Sequence, residues 1–273
     1  MAGSDVRTVD TGSDELLCRV EERVAVVTLN RPESRNALSI PLKQALQRTV
    51  DALAVDDGVG CLLLTGAGRA FCSGGDTKVM ATSGRPPSME DRQRLLRDEH
   101  RLPAKLHAMP MPVIAALPGA AAGAGFSLAL AADLRIAAES AFVMTAFSRL
   151  GLSGDYGGTW FLTRLVGTAK ARELYFTGRR VGAAECEELG IVNRVVPDDE
   201  LERESFELAR GIASGPPIAL RFMKANLNRA LEADLQTCLD YEADRMVRGA
   251  MTQDYREAVA AFAEKRPPVF RGR

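Results

Sequence analysis

The chain has 273 residues, 46% hydrophobic and 26% charged, an ordinary globular balance that excludes intrinsic disorder and a coiled coil. Its 35 basic and 36 acidic side chains leave a formal charge of −1, so no global field draws nucleic acid or an anionic membrane, and a phosphate-bearing ligand must be held locally. The cysteines (Cys18, Cys61, Cys72, Cys186, Cys238) are scattered and the only histidines are His100 and His107, which argues against a disulfide framework and against any metal site.

Residues 1–14 read as a loose leader, without the charged and then apolar run of a secretory signal. Residues 16–20 and 24–29 are short β-rich runs joined by Glu21-Glu22-Arg23, a hairpin signal. After a polar loop over 30–36, Ser39 is placed to cap a helix with Pro41 near its first turn; Leu42, Leu46, Val50 and Leu53 follow at helical spacing. A buried strand is expected over 61–65. The most flexible-looking stretch is 82–88, and a helix over 89–107 should follow it. The apolar run 113–132 is broken by Pro118, glycines and Ser127, which suits a buried strand and a small-residue helix and not a membrane span. Short strands are expected over 134–137 and 141–144. From 159 to 265 the pattern is helical apart from a strand over 191–196. This order predicts an α/β core over 15–200 and a helical C-terminal region over 201–273, in a soluble, cytoplasmic protein. Leu227, Leu231, Leu235 and Leu239 recur every fourth residue, an apolar stripe that predicts self-association.

Two glycine-rich loops follow strands and precede helices, Phe71-Cys-Ser-Gly-Gly-Asp76 and Gly119-Ala-Ala-Ala-Gly-Ala-Gly125. Such loops expose backbone N–H groups that suit a developing negative charge, although each also serves as a plain tight turn. Neither has the spacing of a phosphate loop or of a dinucleotide fingerprint.

Taken in order, several segments resemble the enoyl-CoA hydratase/isomerase (crotonase) superfamily. They are Val27-Thr-Leu-Asn-Arg-Pro-Glu-Ser-Arg-Asn-Ala-Leu38, Gly66-Ala-Gly-Arg-Ala-Phe-Cys-Ser-Gly-Gly-Asp76, Met111-Pro-Val-Ile-Ala-Ala-Leu-Pro-Gly119, Ala132-Asp-Leu-Arg-Ile136, Gly157-Gly-Thr-Trp160, Gly190-Ile-Val-Asn193 and Phe262-Ala-Glu-Lys-Arg-Pro267. The resemblance implies a spiral of ββα units with a C-terminal helical trimerisation region, assembly as a trimer or hexamer, and an acyl-CoA thioester as substrate. It implies no separate metal or redox cofactor. Backbone N–H groups at Gly75 and Ala124 would hold the thioester oxygen as it becomes an enolate, the usual engine of such chemistry. Backbone around Arg35, Ala37, Ser73, Gly75 and Asp76 would hold the adenine and pantetheine ends. Lys265, with Phe262, would reach the nucleotide, often from a neighbouring subunit; a solvated lysine on a charged helix is the plainer reading of Lys265.

The two glutamates that activate water in the hydratases fall at Ser127 and Phe147 in this sequence. Neither residue is a carboxylate base, which disfavours conventional hydration. Asp155, in Gly151-Leu-Ser-Gly-Asp-Tyr-Gly-Gly158, matches the aspartate of isomerising members; Gly151-Leu-x-x-Asp-x-Gly-Gly-Thr-Trp160 is similar to the ring-1,2-epoxyphenylacetyl-CoA isomerase and dienoyl-CoA isomerase branches. In an apolar pocket lined by Phe147 and Trp160 its pKa would rise, suiting it to move a proton between carbons; capping the next helix is the other reading. The dehalogenase-like branch uses the same aspartate as nucleophile with a histidine base, and an ungapped count puts His100 there; a surface histidine is the alternative. Isomerisation of an enoyl-CoA or ring-type acyl-CoA is therefore expected. A non-standard hydratase, an Asp155/His100 hydrolytic enzyme and a non-catalytic CoA- or RNA-binding member are the rivals. The acyl group would be recognised by residues over 82–96 and 142–156.

Overall fold

The computed structural model describes residues 6–76 and 88–273. Strands β1 (Arg7–Thr8), β2 (Leu16–Glu21) and β3 (Val24–Leu29) form an antiparallel meander, with β2 and β3 closed by the tight Glu22-Arg23 turn. Residues 7–8 thus pair with the sheet, and Thr11 is buried with its hydroxyl on the Leu16 carbonyl at 2.7 Å. Ser39 caps α1 (Ile40–Ala54) by accepting from the Leu42 N–H at 3.1 Å, and Leu42, Leu46, Val50 and Leu53 turn inward as their spacing requires.

From there the chain winds as a spiral. Each turn gives one strand to a large sheet and the next to a small one. The pairs are β4 (Cys61–Gly66) with β5 (Ala70–Cys72), β6 (Val113–Leu117) with β7 (Ala120–Ala122), and β8 (Leu134–Ala138) with β9 (Phe142–Met144). Helices α2 (Met89–Glu99) and α3 (Arg101–Ala108) follow the first pair, α4 (Ala124–Leu130) the second and α5 (Gly158–Thr177) the third. Strand β10 (Val181–Gly182) then closes the small sheet, and β11 (Arg194–Val196), after α6 (Ala183–Glu188), closes the large one. The seven-stranded sheet runs β1-β2-β3-β4-β6-β8-β11 and the four-stranded sheet β10-β9-β7-β5. This is the expected spiral of ββα units.

Three details depart from the sequence reading. The single helix expected over 89–107 is two helices that break at His100, because Pro103 has no N–H to bond the Glu99 carbonyl. The strand expected over 191–196 is confined to Arg194–Val196, and two residues of the nominally helical stretch form β10 by pairing with β9. Helix α7 (Leu201–Ala213), within the C-terminal segment, packs across β3, β4, β6 and β8 and buries Leu201, Ser205, Ala209 and Ala213.

Helices α8 (Pro217–Ala230), α9 (Leu235–Ala250) and α10 (Gln253–Glu264) stand outside this core. Lys224 ties α8 to it, its buried ammonium donating to Asp133 Oδ2 at 2.7 Å and to the Met111 carbonyl at 3.2 Å. The rest of the face is apolar and open: Leu227, Leu231, Leu235, Leu239, Met246 and Phe262 are all exposed. Of the segment 82–88, singled out above as flexible, residues 82–87 lie outside the described residues. Among the described residues no helix is long and apolar enough to cross a membrane.

Candidate active site

Parallel pairing of β5 with β7 and of β7 with β9 brings three strand ends to one edge of the small sheet. The loop after β5 carries Ser73 to Asp76, the turn after β7 carries Gly123 and Ala124, and the segment after β9 carries Phe147 and then Asp155. The fold therefore gathers what the sequence spreads over some eighty residues.

The first two loops touch. Gly74 has φ +96°, and a Cβ there would lie 2.8 Å from the Ala122 carbonyl and 3.4 Å from the Ala124 nitrogen, so only glycine permits this approach. Gly75 bridges to Leu38, whose N–H donates to the Gly74 carbonyl at 2.8 Å. Neither the Gly75 nor the Ala124 N–H is spent on a backbone acceptor in a described turn or loop. The Gly74 approach and the Leu38–Gly75 bridge thus set the two glycine-rich loops side by side.

The loop over 31–39 packs beside them. Arg35 is left-handed (φ 52°) and its carbonyl accepts the Ser73 N–H at 3.0 Å. Asn36, fully buried, holds this loop to the β4–β5 turn by donating to the carbonyls of Ala67 and Ala70 at 3.0 and 2.7 Å. Arg31 donates to the Ala37 carbonyl at 2.7 Å and pairs with the Asp76 carboxylate at 3.1 Å. The Asp76 side chain thus braces the glycine-rich loop. Arg35, Arg69 and Arg180 line a neighbouring cleft of about 350 Å³, with Arg180 stacked 4.4 Å over Phe142.

Asp155 is the distinctive member. Its Oδ1 is buried with no hydrogen-bond partner among the described residues, a costly state for a carboxylate oxygen. Burial raises its pKa above the usual carboxylate range; Glu99 adds to the rise, while His100 and Lys43 oppose it. The capping reading is not what the structure shows: Gly157 (φ 74°) occupies the cap of α5 without a side-chain bond. Phe147 is a wall, as expected. Its ring lies 3.8 Å from where a Cβ on Gly123 would be and 3.7 Å from the same point on Gly154, so one ring's width separates the Ala124 turn from the Asp155 loop. Trp160 is not seen to line the pocket; its ring packs edge-on against His107 and Phe161, with Arg164 4.0 Å over it.

His100 is brought to the site and is not a surface histidine. Its Nε2 accepts the Tyr156 N–H at 3.3 Å and its ring stands edge-on to Tyr156 at 5.7 Å. Glu99, Lys43 and Tyr156 were not singled out from the sequence. Lys43 forms a close ion pair with Glu99, whose second oxygen lies 3.5 Å from the Tyr156 hydroxyl. These residues come from three distant segments and share no motif; only the adjacency of Glu99 to His100, and of Tyr156 to Asp155, offered a signal. Phe262 is 88% exposed and Lys265 ends α10 in the left-handed region; within one chain the structure does not bring either of them to the Arg35–Asp76 loops.

Residues 19–273 match the family model for enoyl-CoA hydratase/isomerase. The chain is 40% identical to the 1,2-epoxyphenylacetyl-CoA isomerase of Escherichia coli K12, covering 94% of this chain and 98% of that protein. It is 34% identical to the short-chain-enoyl-CoA hydratase of Clostridium acetobutylicum, covering 93% and 96%. Its fold matches the crystal structure of enoyl-CoA hydratase from Bacillus anthracis with a TM-score of 0.88 at 34% identity, over 98% of this chain and 100% of that one. The spiral fold, the paired glycine-rich loops and these similarities agree: the chain belongs to the enoyl-CoA hydratase/isomerase (crotonase) family of acyl-CoA enzymes.

Proposed function

We propose that the protein is a double-bond isomerase acting on an enoyl-CoA or ring-type acyl-CoA thioester. The observation that carries this reading is Asp155, a carboxylate with a buried oxygen that has no hydrogen-bond partner among the described residues, on a loop that meets the Gly123–Ala124 turn across the Phe147 ring. Serine and phenylalanine stand where a hydratase would need glutamates. In the proposed reaction Gly75 and Ala124 N–H groups hold the thioester oxygen. Asp155 takes a proton from the α-carbon, the electron pair spreads into the dienolate, and the same carboxyl returns the proton to the γ-carbon. No atom is gained or lost.

The hydrolytic alternative requires a free imidazole to deprotonate water. The Nε2 lone pair of His100 is occupied by the Tyr156 N–H, so a neutral imidazole there carries its proton on Nδ1 and lacks an open acceptor. The Arg35, Arg69 and Arg180 cleft supports anchorage of the anionic phosphates of CoA, with the backbone of Arg35, Ala37, Ser73 and Asp76 along the remainder of the cofactor moiety.

Product analysis tests the assignment. With a 3-enoyl-CoA the protein should form the 2-enoyl isomer at unchanged mass, much faster than it adds water to crotonyl-CoA. Faster hydration would favour a non-standard hydratase, and binding without turnover a non-catalytic member.

Self-association as a trimer or hexamer belongs to the same proposal. The open face of α8 to α10 surrounds a largely apolar cavity of about 710 Å³ bordered by Ile218, Phe222, Met223, Leu239, Met246 and Phe270, and a clustered apolar face of this kind suits a protein–protein contact. Covering it with neighbouring copies would also allow Phe262 and Lys265 to reach an adjacent nucleotide. Light scattering at micromolar concentration should give three or six times 29.4 kDa; a mass of one chain would overturn this.

A further inference from the structure

Asp155 opens a turn that its own sequence does not favour. Its carbonyl accepts the Gly158 N–H at 3.1 Å, and the two residues between are both left-handed, Tyr156 at φ 54° and Gly157 at φ 74°. That is the backbone of a type I′ turn, whose first central position usually holds Asn, Asp or Gly. A tyrosine there is strained, because its Cβ crowds the following carbonyl oxygen. Gly154 and Gly157, on either side, add no stiffness of their own. Nor is the carboxylate oxygen Oδ1 aimed by a hydrogen bond, since it has no partner among the described residues. Its direction therefore follows the turn, and the turn must be held from outside.

The junction of α2 and α3 supplies the hold. His100 Nε2 accepts the Tyr156 N–H at 3.3 Å, and the imidazole stands edge-on to the phenol ring with centroids 5.7 Å apart. The Tyr156 hydroxyl donates to Glu99 Oε2 at 3.5 Å, and Glu99 is itself pinned by its close ion pair with Lys43 on α1. Tyr156 is thus gripped at its backbone and at its phenol by two adjacent residues, and only 2% of it is exposed. At the far end of α3, His107 packs edge-on against Trp160 and Phe161 at 5.3 and 5.4 Å, just past the turn. The chain's two histidines therefore brace the segment 156–161 from one short helix. Resting on the reading of Asp155 as the proton carrier, we infer that His100 is a positioning residue: by accepting the Tyr156 N–H it holds the strained turn that aims the Asp155 carboxylate, and it takes no proton from substrate or water. That role requires an acceptor atom and no base.

The test uses the full-length protein with a 3-enoyl-CoA as substrate and the saturated acyl-CoA of the same length as binding probe. His100→Phe keeps an aromatic ring against Tyr156 and removes the acceptor. His100→Gln returns an acceptor oxygen on a side chain of similar reach that cannot act as a base. His100→Phe should lower kcat roughly 10–100-fold, the scale of loss when a reacting group is displaced by up to about 1 Å. Probe affinity by calorimetry should stay within about twofold, since the interaction serves the chemical step and not binding. His100→Gln should recover most of the lost rate. If His100→Phe does not fold, His100→Ala, which also lacks the acceptor, is judged by the same measures. A glutamine variant as slow as the phenylalanine one would overturn the inference and make the imidazole itself catalytic. Full rate without any acceptor at position 100 would overturn it as well. A wild type that does not isomerise, or an Asp155→Asn variant that does so at full rate, would instead overturn the Asp155 reading on which the inference rests.

Discussion

Asp155→Asn should fold, bind the CoA thioester and lose at least ~10²-fold in kcat, the lower end of what a positioned general base contributes. Asparagine preserves the size of the side chain, but cannot accept the proton. The same change should stabilise the protein. Burial raises the pKa of Asp155 in the folded chain, so the folded state holds that proton more tightly than the unfolded state does. Wild-type stability is therefore penalised as pH rises from the ordinary carboxylate range through the raised value, and the penalty persists above it. The neutral amide of the variant carries no such penalty. Thermal melts should show the variant above wild type at pH 7, with the gap closing below about pH 4. A variant that melts lower at pH 7 would show that the carboxylate is held by favourable contacts and is not an unpaired reactive group awaiting substrate.

Gly75→Pro should lower kcat by about 10²–10³-fold, as loss of one oxyanion donor does, while changing thioester affinity far less. The substitution deletes one N–H and leaves the Ala124 donor in place. The preceding residue is already a glycine in a conformation no other residue favours, φ +96°. Steady-state kinetics with direct binding by calorimetry would separate the two effects. Full activity in Gly75→Pro would remove Gly75 from the site.

The parts of this protein that were legible in its sequence are those where one local cause decides the outcome. Ser39, Pro41 and the Leu42–Leu53 spacing specify α1 without help from the rest of the chain, and the hairpin at Glu22-Arg23 is equally local. Pro103 was equally visible, but the apolar and charged periodicity around it reads through, and only the lost bond to the Glu99 carbonyl shows why the helix divides at His100. Strand β10 could not be read because two residues become a strand only by meeting β9. Gly75, Ala124 and Asp155 were nominated through motif resemblance alone, and the structure adds that the segments carrying them leave the neighbouring ends of β5, β7 and β9. The Lys43–Glu99 pair, the Tyr156 hydroxyl beside Glu99 and the Phe147–Tyr175 stack join segments far apart in the chain, so no spacing announces them. Trp160, placed in the pocket by its motif, turns instead to His107 and Phe161.

The central claim is that Asp155 moves a proton between two carbons of a CoA thioester and adds no water. Wild type and Asp155→Asn should be incubated with a 3-enoyl-CoA in water enriched in oxygen-18, and the products resolved by mass. Wild type should yield the 2-enoyl isomer without incorporated oxygen, and Asp155→Asn should yield almost none. Rapid appearance of an oxygen-18-labelled 3-hydroxyacyl-CoA, undiminished in Asp155→Asn, would contradict the account.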